Sequence, residues 1–221
     1  MSHYELLQAE TLAERTALLS EPLFADAMAG RVNTAMYIAF LTQAYHHVKH
    51  TVPLMMACGA RLGDRHEWLR AKIVSYIDEE YGHHEWVLDD IVASGGDRES
   101  ARHSVPAFET EMMVAYAYDL IERGNPVGFF GMVHVLEGTS TALATNASQR
   151  LASALGLPKT AFTYLSSHGA LDVSHVDFFR DIVNELTPGD LDAVIQASRR
   201  FYRLYGAIFA ALHRQFSVKE S

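Results

Sequence analysis

The stretch Ser166-Ser167-His168-Gly169-Ala170-Leu171-Asp172-Val173-Ser174-His175-Val176-Asp177-Phe178 puts His168, Asp172 and His175 at offsets of zero, four and seven residues. At about 100° of rotation per residue, those offsets fall within an arc of about 60° around a helix, so two imidazoles and a carboxylate share one stripe. That is a metal-ligand spacing. A solvated polar face with a capping Asp is the plainer alternative. Two histidines bracketing an aspartate, followed by the apolar pair Phe178 and Phe179, favour a buried metal site. The choice turns on whether other helices bring further ligands.

Working outward, the helix carrying this stretch spans about Thr160 to Leu186 and is the sixth of about seven. The fifth reads from Val127 to about Leu155, opened by Pro126 at its first turn, where the missing N–H costs nothing. Phe129, Phe130, Met132, Val133, Val135 and Leu136 crowd its first half. Glu137 follows this apolar run and is expected in the interior or at its edge, where a lone carboxylate is costly unless paired, protonated or bound to a cation. The third helix, from about Arg65 to Ile91, contains Asp78-Glu79-Glu80-Tyr81-Gly82-His83-His84-Glu85-Trp86. Gly costs about 1 kcal/mol against Ala in mid-helix. Its presence there signals either close approach of another backbone or a local distortion that aims side chains inward.

The remaining helices complete the reading. An amphipathic lead-in runs from Tyr4 to about Met28, with a break near Pro22. The second helix starts at an Asn33 or Thr34 cap and runs toward Leu62, kinked by Pro53. Its His46, His47 and His50 are assigned to an outer polar face and the kink. The fourth spans about Ala107 to Glu122, and the seventh follows Thr187-Pro188-Gly189-Asp190 through Phe216. No strand-like alternation or internal repeat interrupts the pattern, so the expectation is one all-α domain over residues 1–221, a bundle of about seven helices.

Composition narrows the function. At 221 residues with 49% hydrophobic side chains, the chain can bury a substantial core. A formal net charge of −9 argues against nucleic acid and anionic membranes as partners. Cys58 is the sole cysteine, so thiolate-rich zinc and iron-sulfur sites are excluded and any metal is held by nitrogen and oxygen. The N-terminus lacks the basic start and apolar run of a signal peptide, and the expected location is cytoplasmic. Twelve histidines call for placement, and all but His3 and His103 fall in predicted helices.

Glu80 and His83 on the third helix, Glu137 on the fifth, and His168, Asp172 and His175 on the sixth together give three imidazoles and three carboxylates. That set suits iron or manganese better than the oxygen-only shells of calcium and magnesium, and zinc also accepts it. Two divalent ions against three carboxylates leave about one positive charge, a tolerable balance for a buried site.

The Glu-Tyr-Gly-His run at 80 to 83, the internal Glu137 and the His168, Asp172, His175 spacing resemble the haem-oxygenase-like diiron oxidases and oxygenases. These share the seven-helix fold of haem oxygenase and of the TenA and PqqC proteins. The resemblance covers nearly the whole chain in helix order. It implies that these six residues ligate Fe(II)/Fe(III), with two ions expected. Glu79 and His84 are the substitutes where the third-helix spacing is longer. It also implies O₂ and a small amino-acid-like or fatty-acid-like substrate as reactants, and a homodimer. Where some members place an extra carboxylate on the second helix, this chain has His46, His47 and His50.

The alternative is a metal-free TenA- or PqqC-like enzyme or small-molecule binder. TenA-type hydrolases use a cysteine in the fifth-helix region, whereas Cys58 lies on the second. Haem oxygenase needs a proximal His on its first helix, and His3 is the one early His, in a segment expected to fray.

Overall fold

The computed structural model describes the backbone of residues 1–217 and the side chains of 1–140, 150–166 and 176–217. Among the described residues the chain is all helical, with twelve α-helices rather than seven. The lead-in resolves into α1 (His3–Glu10), α2 (Leu12–Leu19) and α3 (Pro22–Met28). The second predicted helix divides into α4 (Thr34–Val48) and α5 (Thr51–Arg61), and the third into α6 (Glu67–Glu80) and α7 (His83–Ala93). A short α8 (Arg98–His103) was not expected. Then follow α9 (Phe108–Arg123), α10 (Phe130–Leu155), α11 (Thr163–Glu185) and α12 (Pro188–Ser217).

Each division has a local cause. The proline ring of Pro53 conflicts with the carbonyl four residues earlier, that of Lys49, and Pro53 has no N–H to bond it. Lys49 is where α4 is capped, and α5 restarts at Thr51 with Pro53 in its first turn. Pro22 likewise opens α3 after Glu21. The N-terminus is not frayed as expected. Ser2 and Glu5 form a capping box, and the Tyr4 N–H donates to Asn184 Oδ1 on α11 at 3.0 Å.

The core is organised around α12, whose buried residues Leu191, Val194, Ile195, Ser198, Phe201, Tyr202, Tyr205, Ile208, Phe209 and Leu212 recur at helical spacing. Each large apolar side chain buried on that stripe contributes about 1.5–3 kcal/mol. The stripe packs on α10, α9, α2 and α3, while α11 lies against both α10 and α7. Where α10 meets α12 the backbones touch. A Cβ on Gly131 would stand 2.7 Å from the Ser198 nitrogen and 2.8 Å from the Val194 carbonyl oxygen.

Two polar clusters pin the periphery. Buried Asp190 accepts from Asn125 Nδ2 at 2.8 Å, His66 Nε2 at 3.0 Å and Thr187 Oγ1 at 2.7 Å. Burial pushes its carboxyl up, but these donors outweigh burial and hold it at about 2. His134 on α10 stacks on Phe179 with ring centroids 5.7 Å apart, and its Nε2 lies 3.4 Å from both the Thr11 and the Tyr202 hydroxyls.

Burial, helped by the Arg15 charge, pulls His134 down to about 4. The unfolded chain therefore takes up this proton more readily than the folded one. The resulting stability is present above about pH 6.5 and is lost as pH falls toward 4. His134→Gln is expected to remove about 2 kcal/mol of the loss between pH 7 and pH 5, as measured by urea unfolding at the two pH values. Parallel pH profiles for the variant and the wild type would refute that assignment.

Candidate metal centre

The site is built first by the break between α6 and α7. Tyr81 donates its N–H to the Ile77 carbonyl and closes α6, and Gly82 turns the chain with φ +94°. Open space surrounds the position a Gly82 Cβ would take, so of the two sequence readings the local distortion holds and the close approach does not. The turn throws Tyr81 outward, 77% exposed, and leaves Glu80 and His83 turned inward with side chains 10% and 4% exposed.

His83 Nδ1 donates to Glu80 Oε2 at 3.0 Å, because a carboxylate can only accept. Its ring stacks on Trp86 at 4.0 Å. Glu79 is exposed, and His84 is more than a third exposed and pairs with Glu85. Burial thus separates Glu80 and His83 from these two substitutes. Gly82→Ala is expected to cost about 1–2 kcal/mol because an L side chain is strained at positive φ. Gly82→Asn should cost less, and equal losses in urea unfolding would contradict the left-handed requirement.

From α10, Glu137 faces the cavity that Glu80 lines. The cavity has a volume of about 70 Å³, and its walls include His47, Thr51, Tyr164 and Tyr205 together with apolar groups such as Met132 and Leu136. Buried Tyr76 directs its hydroxyl at Glu137 Oε2, 3.5 Å away. Its phenol is held far above the ordinary value, first by burial and then by the Glu137 charge, so it remains a donor.

From α4, His47 is 3% exposed and meets the Tyr205 ring edge-on at 5.9 Å. The expectation of an outer polar face is therefore wrong for His46 and His47, which are both buried. His46 Nε2 lies 2.8 Å from the Ser104 hydroxyl, and its Nδ1 accepts from Lys49 at 3.2 Å. Burial and then Lys49 pull it down to about 4. The signal for His47 was legible: Phe40, Ala44 and His47 fall on one helical stripe.

The start of α11 is fixed by Asp90, whose carboxylate accepts from the Thr163 N–H at 3.0 Å and the Tyr164 N–H at 2.7 Å. This anchor sets Tyr164 into the cavity wall. His168, Asp172 and His175 lie further along α11, outside the residues whose side chains are described. Their helix packs against α10, which carries Glu137, and α7, which carries His83. Among the described residues, no group of three or more His, Cys, Asp or Glu side chains is close enough to hold a metal ion.

The donors that are described fit iron in type, since Glu80, Glu137 and His47 bring two carboxylates and an imidazole to the lining of one mostly apolar cavity. Of the tyrosines singled out in the sequence, Tyr76 reaches Glu137 and Tyr118 lies 3.1 Å from His50 Nδ1, while Tyr45 packs on His46 and Tyr81 is outside. Tyr164 and Tyr205, which line the cavity, were not singled out. Cys58 is buried with its thiol on the Pro126 carbonyl at 3.3 Å, and burial pushes that thiol up to about 12.

The model of a family described as iron-containing redox enzymes matches residues 38–206, which include α5 to α11 and the cavity's Glu80, Glu137, Tyr164 and Tyr205. The chain belongs to that family. No curated protein sequence matches it. Among solved structures, the chain is similar to a domain of unknown function with a haem oxygenase-like fold from Shewanella denitrificans OS217. That structure is similar to this chain at TM-score 0.89 and 23% identity, covering 100% of this chain and 96% of that one. A TenA homologue from P. horikoshii OT3 is similar at TM-score 0.80 and 10% identity, covering 97% and 99%. The haem oxygenase from Leptospira interrogans is similar at TM-score 0.74 and 16% identity, covering 96% and 100%. At these identities the likeness shows the haem-oxygenase-like fold alone. No described helix is long and apolar enough to cross a membrane.

Proposed function

We propose that this member of the family is a non-haem iron oxidase or oxygenase that uses O₂ to oxidise a small organic substrate enclosed by the bundle. The observation that supports the reading is the meeting of Glu80 and Glu137, from helices far apart in the chain, on one cavity. Glu80, His83 and Glu137, with His168, Asp172 and His175 from α11, would hold iron, and two ions fit the six-residue set. Iron bound there supplies the electrons that O₂ chemistry needs.

The chain's own groups do the rest. The Tyr76 O–H orients Glu137, and the His83 N–H orients Glu80, so each carboxylate has a fixed lone pair to present. Met132, Val133, Leu136 and Phe129 give the cavity apolar walls, which strengthen charge interactions beside them. Cys58 favours this reading over TenA-like hydrolysis, since its thiol is held protonated against the Pro126 carbonyl and is not among the residues lining the cavity.

The test is anaerobic loading with ferrous iron followed by O₂ in a stopped-flow spectrometer. A transient visible absorption that decays faster with substrate supports the oxidase. Slow featureless oxidation points to iron storage. Failure to retain any metal points to a cofactor-free enzyme.

A further inference from the structure

We infer that Asp90 is a positioning residue of the proposed iron site: reaching from α7, it clamps the first turn of α11 and so sets the register in which that helix carries His168, Asp172 and His175. This rests on the oxidase reading for what the register serves, and on separate observations for the clamp itself.

The first N–H groups of a helix have no acceptor within it, and a side chain just before the helix commonly supplies one. α11 lacks that device. The residue ahead of it is Phe162, whose side chain accepts nothing. The acceptor comes instead from 73 residues earlier, where Asp90 takes the Thr163 N–H on Oδ1 at 3.0 Å and the Tyr164 N–H on Oδ2 at 2.7 Å. Asp90 is 0% exposed. One bond would hold a position, whereas two from consecutive residues to separate oxygens also hold the rotation of the helix about its axis. Burial pushes the carboxyl up to about 6 against the pull of those bonds, so at neutral pH it is ionised and accepts at both oxygens.

The place of Asp90 on α7 ties the clamp to the site. His83 and Asp90 are seven residues apart and fall about 20° from one another around that helix, on one stripe. α11 packs against α7. One helix thus carries a proposed ligand together with the grip on the helix that carries three others. At about 1.5 Å and 100° per residue, a slip of α11 by one position would turn all three of its proposed ligands aside at once. From α4, the Tyr37 hydroxyl donates to the Ala161 carbonyl at 2.7 Å and its ring stacks on Phe162 at 5.0 Å. That bond lies ahead of α11 and leaves the helix's N–H groups to Asp90.

The experiment compares the wild type, Asp90→Asn and Tyr37→Phe near neutral pH. Asn keeps the shape of Asp but accepts at one oxygen and turns an NH₂ toward the other N–H. Cobalt(II), whose visible absorption reports the number and geometry of its nitrogen and oxygen ligands, is titrated into each metal-free protein. Amide exchange is followed by mass spectrometry without metal. Asp90→Asn should weaken cobalt binding about ten- to a hundredfold, change the spectrum, and speed exchange at residues 163–168 while α12 exchanges as in the wild type. Tyr37→Phe should lower the urea midpoint yet keep the wild-type cobalt affinity and spectrum. Helix content by circular dichroism should match in all three.

Wild-type cobalt affinity and spectrum in Asp90→Asn, or an equal loss of affinity in Tyr37→Phe, overturns the inference. The exchange data separate the two claims. A wild type that holds neither cobalt nor iron defeats the oxidase reading, and faster exchange of α11 in Asp90→Asn then still establishes the clamp. Unchanged exchange of α11 in Asp90→Asn, in a protein that holds metal, defeats the clamp alone.

Discussion

Glu137→Ala is expected to lower iron affinity by more than about a hundredfold while leaving the metal-free protein as stable as the wild type, or more so. The two halves of that expectation have one cause. Glu137 stands half-buried at the end of the apolar run of α10 and lines the cavity that Glu80 also lines, so two like charges repel each other across it unless a cation lies between them. Removing it from the metal-free protein relieves that repulsion.

Removing Glu137 from the loaded protein deletes a proposed ligand and the acceptor that the Tyr76 hydroxyl points at. Changes one step removed from a metal already cost about ten- to a hundredfold in affinity, and loss of a ligand should exceed that. The measurement is thermal unfolding with and without ferrous iron under anaerobic conditions, alongside metal analysis. Iron should raise the wild-type midpoint and leave the variant's unmoved. A variant that binds iron as tightly as the wild type removes Glu137 from the site.

Gly131→Ala should destabilise the fold by about 3 kcal/mol or more, an unusually large effect for one methyl group. The added carbon would meet the Ser198 nitrogen, the Val194 carbonyl oxygen and the Ala197 Cβ, all at 2.7–2.8 Å. Two of those atoms are backbone in the middle of α12 and cannot swing aside as a side-chain tip can. The helices must part, and α10 then shifts along with Glu137 six residues further on. Gly189→Ala is the control. It sits exposed in the first turn of α12 with nothing near its Cβ position, and should gain about 0.5–1 kcal/mol. Urea unfolding of the two variants reads the contrast, and similar midpoints would show that the α10–α12 contact is not close.

The helical class and the order of the elements were legible because apolar residues recur at helical spacing along the whole chain. The number of helices was not. Periodicity continues across a break that keeps the phase of the stripe, as at Lys49–His50 and at Tyr81–Gly82, so two helices read as one. Pro53 and Gly82 were visible signals of those breaks. What they could not reveal is that the proline acts four residues upstream and that the glycine turns left-handed in open space.

The candidate site divides in the same way. Glu80, His83 and Glu137 could be singled out because acids and a glycine disturb an otherwise ordinary core pattern. His47 was set aside because three histidines in five positions suggest a polar face. Its own stripe, with the half-buried Phe40 and the buried Ala44 before it, faces the core. Tyr164 and Tyr205 were hidden for the opposite reason. An aromatic at helical spacing is ordinary core, and only its place in the cavity lining sets Tyr205 apart.

On the proposed function, carboxylates and imidazoles from α6, α7, α10 and α11 would hold non-haem iron inside the bundle. Mössbauer spectroscopy of protein reconstituted with iron-57 and then desalted tests it most directly. High-spin ferrous iron with nitrogen and oxygen ligands should remain bound, in a spectrum that changes in Glu137→Gln and His175→Ala. Iron that washes away completely, or a spectrum identical in all three proteins, would contradict the account.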